Sequence, residues 1–496
     1  MTEKTAYQQL QNQFTRLANI GHAQTFLGWD QAVMMPSGGA EARAQAMAEL
    51  SMISHNLKTD PNMEPWLKAA EELDLNAQDQ ANLREMTRAW QQANCLSAEL
   101  VQAQSLATSR CEHAWRSQRP ENDWEGFSKN LVEVVSLARE EAQARQAEAN
   151  TPTPYDAMLD LYVTGDSSEF IAQVFTQLKS ALPELIQQVM EKQKSESVPK
   201  VDGPFALEDQ EALSKKLMSV LGFDFDRGRL DVSTHPFSTG VLGDHRITTR
   251  YRDSEFIEAL MATAHETGHA SYESGLPEAW HGQPAGLARN MSIHESQSLL
   301  FEKQLFLSPA FVEFLTPLVQ ECLPSTKGLS AEELSRLLTR VNPGFIRVEA
   351  DEVTYPMHVI LRYEIESQLI NGDIEVQHIP DLWHEKMTGF LGLSTEGNFK
   401  DGCMQDIHWP LGAFGYFPSY TLGALNAAQL FHHLRQHNDQ LDNQLAQGDV
   451  SQVRTWLADK IWRQGSFLAS QELIQQATGE TTNPEYFISH IKDRYL

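Results

Sequence analysis

A chain of 496 residues, of which 41% are hydrophobic, is long enough to bury a large core, and 67 acidic against 39 basic residues give it a formal net charge of −28. Such an acidic balance argues against nucleic acid or an anionic membrane surface as a partner. The sequence has no apolar run long enough to span a membrane and no apolar stretch after Met1 that would resemble a secretory signal. Its 4 cysteines are scattered without a C-x-x-C pair, which favours reduced thiols. These features predict a cytoplasmic protein.

The first part of the chain is predicted to be a bundle of helices. Amphipathic or Ala/Gln/Glu-rich composition predicts helices over residues 1–25, 40–57, 64–75, 78–115 and 124–149. The segment Leu27–Gly39 is expected to break the helical pattern. Asp166 with Glu169 predicts the start of a further helix, and the polar stretch Lys192–Pro204 predicts an exposed loop.

Two alternating segments then predict β-structure. Leu230–Thr234 and Arg246–Tyr251 alternate in polarity, and Gly240 and Gly243 lie between them, which is typical of a β-hairpin. An edge strand at this place could bind an extended peptide through main-chain hydrogen bonds.

An H-E-x-x-H motif, His265-Glu266-Thr267-Gly268-His269, follows the predicted hairpin. Apolar residues at helical spacing place the motif on a helix, and Gly275 is the natural end of that helix. Residues four apart lie one turn above each other, so His265 and His269 can bind one metal ion, and Glu266 can take a proton from a water on that ion. A single match of this kind also arises by chance, so a third ligand is needed.

Glu295 is the candidate for the third ligand. A Glu on a helix is by default part of a solvated face, but this one stands in His294-Glu295-Ser296-Gln297, just ahead of an apolar run. Two His and one Glu leave a fourth position for water, as in catalytic zinc sites. The sequence therefore predicts one catalytic metal ion per chain, with zinc as the first choice and cobalt as the alternative.

The later part of the chain is again mostly helical. Ser330 with Glu333 forms a capping box that predicts a helix, and Asp351–Leu369 predicts another. Gly389–Tyr420 is rich in glycine and aromatic residues, which suits a loop that lines a site. No clear linker divides the chain, so we expect a single catalytic unit with a helical part that covers a groove, a catalytic part and a helical scaffold, over residues 1–205, 206–420 and 421–496.

With these residues in view, the chain resembles the Taq-type (thermostable) carboxypeptidases, a family of H-E-x-x-H zinc metallopeptidases, over most of its length. The resemblance rests on further motifs, which are all intact and occur in the same order as in the family. They are Trp29-Asp30 with Met35-Pro36, His235-Pro236-Phe237, Asp244-x-Arg246-x-Thr248, His294-Glu295-Ser296-Gln297, Ile346-Arg347-x-x-Ala350-Asp351 and Gly402-x-x-Gln405-Asp406-x-His408-Trp409.

The resemblance implies a mainly α fold, a large helical, neurolysin-like saddle with a deep groove and a small β-hairpin or sheet beside the metal helix. It also implies a zinc carboxypeptidase that removes single residues from the C-terminus of peptides. Broad specificity, resistance of C-terminal proline and a homodimeric assembly are implied as well.

Further site residues follow from the resemblance and from the chemistry that peptide hydrolysis needs. His408, Tyr416 and Tyr420 are candidate donors to the oxyanion, because the related peptidases use a His and a Tyr from a Gly-rich segment. Tyr416 is favoured because it lies in the more loop-like part. Packing at the start of a helix is the alternative for either tyrosine.

Cleavage at the C-terminus also requires a cation that receives the terminal carboxylate, for which the fork of an arginine is suited. Arg347 is the first candidate and Arg246 the second, although a surface ion pair is the ordinary role of an arginine. Asp351 and Asp406 are interpreted as partners of an Arg or His. His235 either lines the groove or caps local structure.

Two alternatives remain at this point. An oligoendopeptidase or a dipeptidyl carboxypeptidase would use the same chemistry in a groove with a different end, and an endopeptidase should tolerate a C-terminal amide. A non-catalytic helical peptide-binding protein is the second alternative, against which the full ligand set together with Glu266 argues.

Overall fold

The computed structural model describes residues 5–496, so the first four residues of the first predicted helix lie outside the described range. The N-terminal part of the protein is helical throughout. Its helices are α1 (Ala6–Val33), α2 (Ala40–Lys58), α3 (Met63–Glu71), α4 (Ala77–Asn94), α5 (Ala98–Gln118), α6 (Trp124–Ala149), α7 (Pro154–Leu159), α8 (Ser168–Lys194) and α9 (Leu207–Val220).

Helix α1 continues through the break that was predicted at Leu27. Trp29 is buried in this last part of the helix. Arg43 of α2 donates hydrogen bonds to the Leu27 carbonyl oxygen and to the Asp30 carboxylate, both at 2.5 Å. A tertiary contact that the local pattern does not encode therefore stabilises the end of α1.

The segment predicted as one helix over residues 78–115 forms two helices, α4 and α5. Ser97 begins α5 because its hydroxyl accepts a hydrogen bond from the Leu100 N–H at 3.2 Å. The N-cap preference of serine decides the boundary over the helical composition on both sides.

Three strands, β1 (Gly228–Val232), β2 (Phe237–Val241) and β3 (Asp244–Thr249), form a sheet in the order β1-β3-β2. The two segments predicted to form a hairpin are neighbours, but β1 and β3 are parallel, so the predicted hairpin is wrong in its pairing. The hairpin is formed by β2 and β3, which are antiparallel and joined by the tight turn at Gly243. The segment between the two predicted strands is long enough to contain this additional strand.

The chain after the sheet is mostly helical. Their helices are α10 (Ile257–Gly275), α11 (Met291–Leu299), α12 (Pro309–Cys322), α13 (Ala331–Leu338), α14 (Tyr355–Asn371), α15 (Ile379–Leu391), α16 (Pro418–His437), α17 (Leu441–Leu445), α18 (Ser451–Lys460), α19 (Ser470–Thr478) and α20 (Glu485–Tyr495). A π-helical turn, Leu300–Phe306, continues α11. Helix α10 ends at Gly275 and the Ser330–Glu333 capping box opens α13, as predicted.

Two large apolar cores meet along α16. Leu422 and Leu425 pack in the core that contains α5–α8, α14 and α20, whereas Leu430 and Phe431 pack in the core that contains α9–α13 and α18. Helix α11 lies along α16, and the sheet packs on α10. The mainly helical fold with a small sheet beside the metal helix is therefore confirmed. Over residues 5–496, the helices are all too short or too polar to cross a membrane.

Candidate active site

Helices α10 and α11 bring the predicted metal ligands together. Helix α10 carries His265, Glu266 and His269, and α11 carries Glu295. The two helices approach closely at Gly268, where a Cβ atom would lie 2.6 Å from the backbone carbonyl oxygen of Gln297. Only glycine permits this approach, and the approach places the side chains of both helices in one place.

The donor set fits a single metal ion. One ring nitrogen each from His265 and His269 and one carboxylate oxygen of Glu295 lie within 4.8 Å of one another. Oε2 of Glu295 is 3.5 Å from Nε2 of His269 and 4.0 Å from Nε2 of His265. Tetrahedral ligands at about 2.1 Å from an ion are separated by roughly 3.4 Å, so these atoms need little adjustment to bind one divalent transition metal.

Each histidine ring is held from the side opposite to the metal site. Nδ1 of His265 lies 2.8 Å from Oε2 of Glu302, in the π-helical turn. Nδ1 of His269 lies 2.6 Å from Nδ1 of His294, whose Nε2 lies 2.8 Å from Oε1 of Glu273. These contacts orient both rings so that Nε2 is the atom available to a metal.

Glu266 is buried beside the ligands. Burial raises the pKa of its carboxyl to about 7, and the neighbouring carboxylates of Glu295 and Glu302 add to the rise. A carboxyl group with a pKa near neutrality can both accept and return a proton at the working pH. The metal side of the site consists of His265, Glu266, His269, Glu295 and Glu302.

Helix α16 covers the metal side at Gly423. A Cβ atom at this position would lie 2.7 Å from both Cβ and Cγ of Glu295. Tyr420 lies about one turn earlier in α16. The close packing at Gly423 therefore places the start of α16 next to the helix that holds Glu295.

The other wall of the site, called the "loop side" below, consists of Arg347, His408, Tyr416 and Tyr420. Nε2 of His408 is 3.3 Å from the Tyr420 hydroxyl, and the rings of Tyr416 and Tyr420 are 5.3 Å apart. Burial lowers the pKa of His408 to about 4, with a contribution from Arg347, and burial raises the pKa of Tyr416 to about 12. His408 and the tyrosines are therefore neutral hydrogen-bonding groups at pH 7.

Arg347 is fixed between an acid and a phenol. Its Nε donates to Oδ1 of Asp406 at 3.0 Å, and its Nη1 donates to the Tyr355 hydroxyl at 2.6 Å. The guanidinium carbon lies 4.9 Å from the centre of the Tyr420 ring. Nη2 donates to no acceptor within residues 5–496, so this nitrogen remains for a ligand.

The two candidate aspartates differ in their contacts. Asp406 accepts hydrogen bonds from Arg347 and, at 2.6 Å, from Nε of Arg362. Burial alone would raise the pKa of Asp406, but the two guanidinium groups hold it well below its usual range. Asp351 instead accepts from the backbone N–H groups of Val353 and Thr354, at 3.0 and 2.9 Å, and so caps the turn before α14. The expected Arg or His partner of Asp351 is replaced by this backbone cap.

Arg246 and His235 have other surroundings. Arg246 donates to both carboxylate oxygens of Asp244, at 3.0 and 2.9 Å. Its guanidinium carbon lies 4.3 and 4.2 Å from the rings of Phe26 and Trp29, so Arg246 joins α1 to the sheet. His235 is exposed between β1 and β2.

Three residues of the site were not predicted from the sequence: Glu302, Tyr355 and Arg362. Glu302 follows Glu295 by seven residues, which is about two helical turns, and this spacing could have identified it. Arg362 directly follows the apolar run Val359-Ile360-Leu361, which signals a buried partner but does not say which one. Tyr355 reaches the site only through tertiary structure, and no local pattern indicates it.

Comparisons with known proteins agree with this geometry. A family model described as carboxypeptidase Taq (M32) metallopeptidase matches residues 9–495. Thermostable carboxypeptidase 1 of Thermus thermophilus is 35% identical, over 100% of this chain and 99% of that protein. The structure of metallocarboxypeptidase 1 of Trypanosoma cruzi is similar with a TM-score of 0.97 at 43% identity, and that of an M32 carboxypeptidase from Deinococcus radiodurans with a TM-score of 0.94 at 32% identity, each over 99% of both chains. The chain is a metallocarboxypeptidase that acts on peptides, and it belongs to the carboxypeptidase Taq (M32) metallopeptidase family.

Proposed function

We propose that this carboxypeptidase is a zinc enzyme of broad specificity, with the ion held by His265, His269 and Glu295. Two imidazoles and one carboxylate with a further position open are the donor set of catalytic zinc sites. The carboxylate behind His265 supports the same assignment, because such a contact fixes the ring for metal binding. Cobalt is the alternative ion.

The chain's own groups divide the work of peptide hydrolysis between them. When bound, the ion lowers the pKa of a water molecule and polarises the scissile carbonyl group. Glu266 accepts a proton from the attacking water and returns it to the leaving amine. His408 together with Tyr416 or Tyr420 donates hydrogen bonds to the oxygen on which negative charge develops.

Arg347 is proposed to bind the terminal carboxylate of the substrate, in preference to Arg246. The observation that carries this assignment is Nη2 of Arg347, which binds neither Asp406 nor Tyr355. From this nitrogen the guanidinium can donate a charge-assisted hydrogen bond to a carboxylate. Arg246 is less suited because of its place: its guanidinium lies against Phe26 and Trp29 of α1. The guanidinium of Arg347 instead lies against Tyr420, whose hydroxyl is next to His408. His235 is retained as a residue that lines the groove.

Substrate binding at Arg347 can be tested with paired peptides that differ only in a C-terminal acid or amide. A charge-assisted pair in a buried place contributes roughly 2–4 kcal/mol, or about 30- to 1000-fold in kcat/KM. The wild-type enzyme should strongly prefer the free acid, whereas Arg347→Ala should cleave acid and amide at similar, low rates. Arg347→Lys should recover little, because a point charge does not reproduce the planar fork.

Arg246→Ala is the matched control, because it also removes an arginine that is paired with an aspartate. We expect it to keep the preference for the free acid. Loss of that preference in Arg246→Ala, with retention in Arg347→Ala, would move the carboxylate site to Arg246.

We further propose that the protein is a cytoplasmic homodimer that acts as a single catalytic unit. The family resemblance supports the dimer, and the acidic composition supports the location. Light scattering during size-exclusion chromatography tests the dimer directly.

A further inference from the structure

The segment between α15 and α16 has no regular secondary structure, yet it supplies both His408 and Tyr416. Much of it is buried, including Trp409, Phe414 and Gly415. Its polar backbone groups therefore need partners within the protein. Some of these partners lie within the segment, as in the hydrogen bond from the Ala413 N–H to the His408 carbonyl oxygen. Further partners are two charged side chains of α14.

Helix α14 is mostly buried, and it carries Arg362 and Glu366 one turn apart. Arg362 holds Asp406, two residues before His408 in the loop. Glu366 is fully buried, and no basic side chain within residues 5–496 forms an ion pair with it. A buried carboxyl group without a cation is costly unless hydrogen bonds satisfy it.

Three donors converge on the Glu366 carboxylate. Its Oε1 accepts from the Tyr155 hydroxyl at 2.6 Å and from the Gly415 N–H at 3.2 Å, and its Oε2 accepts from the Trp409 indole N–H at 3.1 Å. Burial raises the pKa of Glu366 to about 7 even though these donors oppose the rise. Above that pH the carboxylate is an acceptor for all three donors.

The two loop donors stand next to the two groups that matter for catalysis. Trp409 directly follows His408, and Gly415 directly precedes Tyr416. Gly415 has a φ of +91°, and a Cβ there would lie 2.8 Å from the backbone of Met158, so the loop is pressed against α7 at this point. One side chain thus fixes the chain beside both His408 and Tyr416.

We propose that Glu366 is a positioning residue that holds His408 and Tyr416 at their places in the site by binding the loop at Trp409 and Gly415. The inference rests on the proposed donor roles of His408 and Tyr416. Glu366 itself does not touch the substrate.

The arrangement of the donors makes Glu366→Gln an informative substitution. If the amide oxygen replaces Oε1, the amide NH₂ faces the Trp409 N–H; if it replaces Oε2, the NH₂ faces the Gly415 N–H. In either orientation one loop donor meets another donor and loses its partner. Glutamine therefore keeps the volume of the side chain but releases one end of the loop.

The experiment measures kinetics at pH 8 together with hydrogen exchange of the loop peptide. We expect Glu366→Gln to lower kcat at least about 10-fold, since a small misplacement of catalytic groups is costly. KM should change much less, because Arg347 and the metal ligands are untouched. Backbone exchange of residues 409–416 should become faster, while the metal content stays at one ion per chain.

Glu364→Gln is the matched control on the same helix. Glu364 pairs with Lys179 and Lys386, away from the loop, so its loss should lower the melting temperature without lowering kcat. Trp409→Phe removes the indole N–H, and glutamine can then satisfy Tyr155 and Gly415 together. We therefore expect the double variant Glu366→Gln/Trp409→Phe to have a kcat no lower than that of Trp409→Phe alone.

Two outcomes would overturn the inference in distinguishable ways. In the first, Glu366→Gln speeds hydrogen exchange of the loop but keeps full kcat, while His408→Ala loses activity. This result would leave the proposed donor roles of His408 and Tyr416 intact and would contradict the positioning role of Glu366. If His408→Ala and Tyr416→Phe both keep full kcat, the proposed donor roles fall, and the inference falls with them.

Discussion

On the metal side every side chain comes from α10, from α11 or from the π-helical turn that continues it, whereas on the loop side His408 and Tyr416 come from a segment without regular structure. The two sides also differ in charge. The metal side gathers three carboxyl groups around two histidines, and the loop side presents one arginine among neutral donors. The metal side is thus suited to a cation, and the loop side to the negative charges of a peptide substrate and its reaction.

The largest effect is expected from a substitution on the metal side that removes no metal ligand. Glu266→Gln keeps the size of the side chain but cannot accept the proton of the attacking water. We expect kcat to fall by ~10²-fold or more with an unchanged metal content, measured by steady-state kinetics and elemental analysis. Turnover close to that of the wild type would remove Glu266 from the mechanism.

A smaller effect distinguishes the two contacts that orient the histidines. Glu302→Gln weakens the support of His265 and should reduce metal affinity about 10- to 100-fold in a chelator competition assay. Glu273→Gln acts on His269 only through His294, and Glu273 is 39% exposed, so its effect should be clearly smaller. Equal effects of the two substitutions on metal affinity would show that this affinity does not depend on how deeply the supporting carboxylate is buried.

The smallest effect concerns the loop side and is a dependence of stability on pH. The pKa of His408 is about 4 in the folded protein against an ordinary value of 6.5, because burial disfavours the charged ring. Its contribution to stability is therefore present above pH 6.5 and is lost as the pH falls toward 4, since the unfolded chain binds the proton first.

Replacement of His408 by glutamine should remove this loss. We expect the free energy of unfolding of the wild type to fall by about 1–2 kcal/mol more than that of His408→Gln between pH 6.5 and 5. Parallel pH profiles in thermal unfolding would contradict a buried, neutral His408.

The two sides also differ in how far they could be predicted from the sequence. The metal ligands follow from a spacing of four residues on one helix and a Glu on the next, because helical periodicity converts spacing into position. The loop side follows from motifs, but its supports, Arg362 and Glu366, are chosen by tertiary packing over long sequence distances. The prediction of the strand pairing was wrong for a related reason: alternating polarity indicates that a segment is a strand, but it does not show which strand is its neighbour.

Gly268 and Gly423 have a consequence for how the sequence of this protein can change. Both lie inside helices, so the local backbone of α10 or α16 does not require glycine there; the requirement comes from the neighbouring chain. At Gly268 the atoms that a side chain would meet are backbone atoms of Gln297 and Ser298, and at Gly423 they include the backbone carbon of Glu295. A second substitution can make room when one side chain meets another, but it cannot remove backbone. Gly268 therefore has no compensating partner, and at Gly423 the side chain that would have to move is that of Glu295, a proposed metal ligand. Both positions thus limit how the sequence around the site can vary.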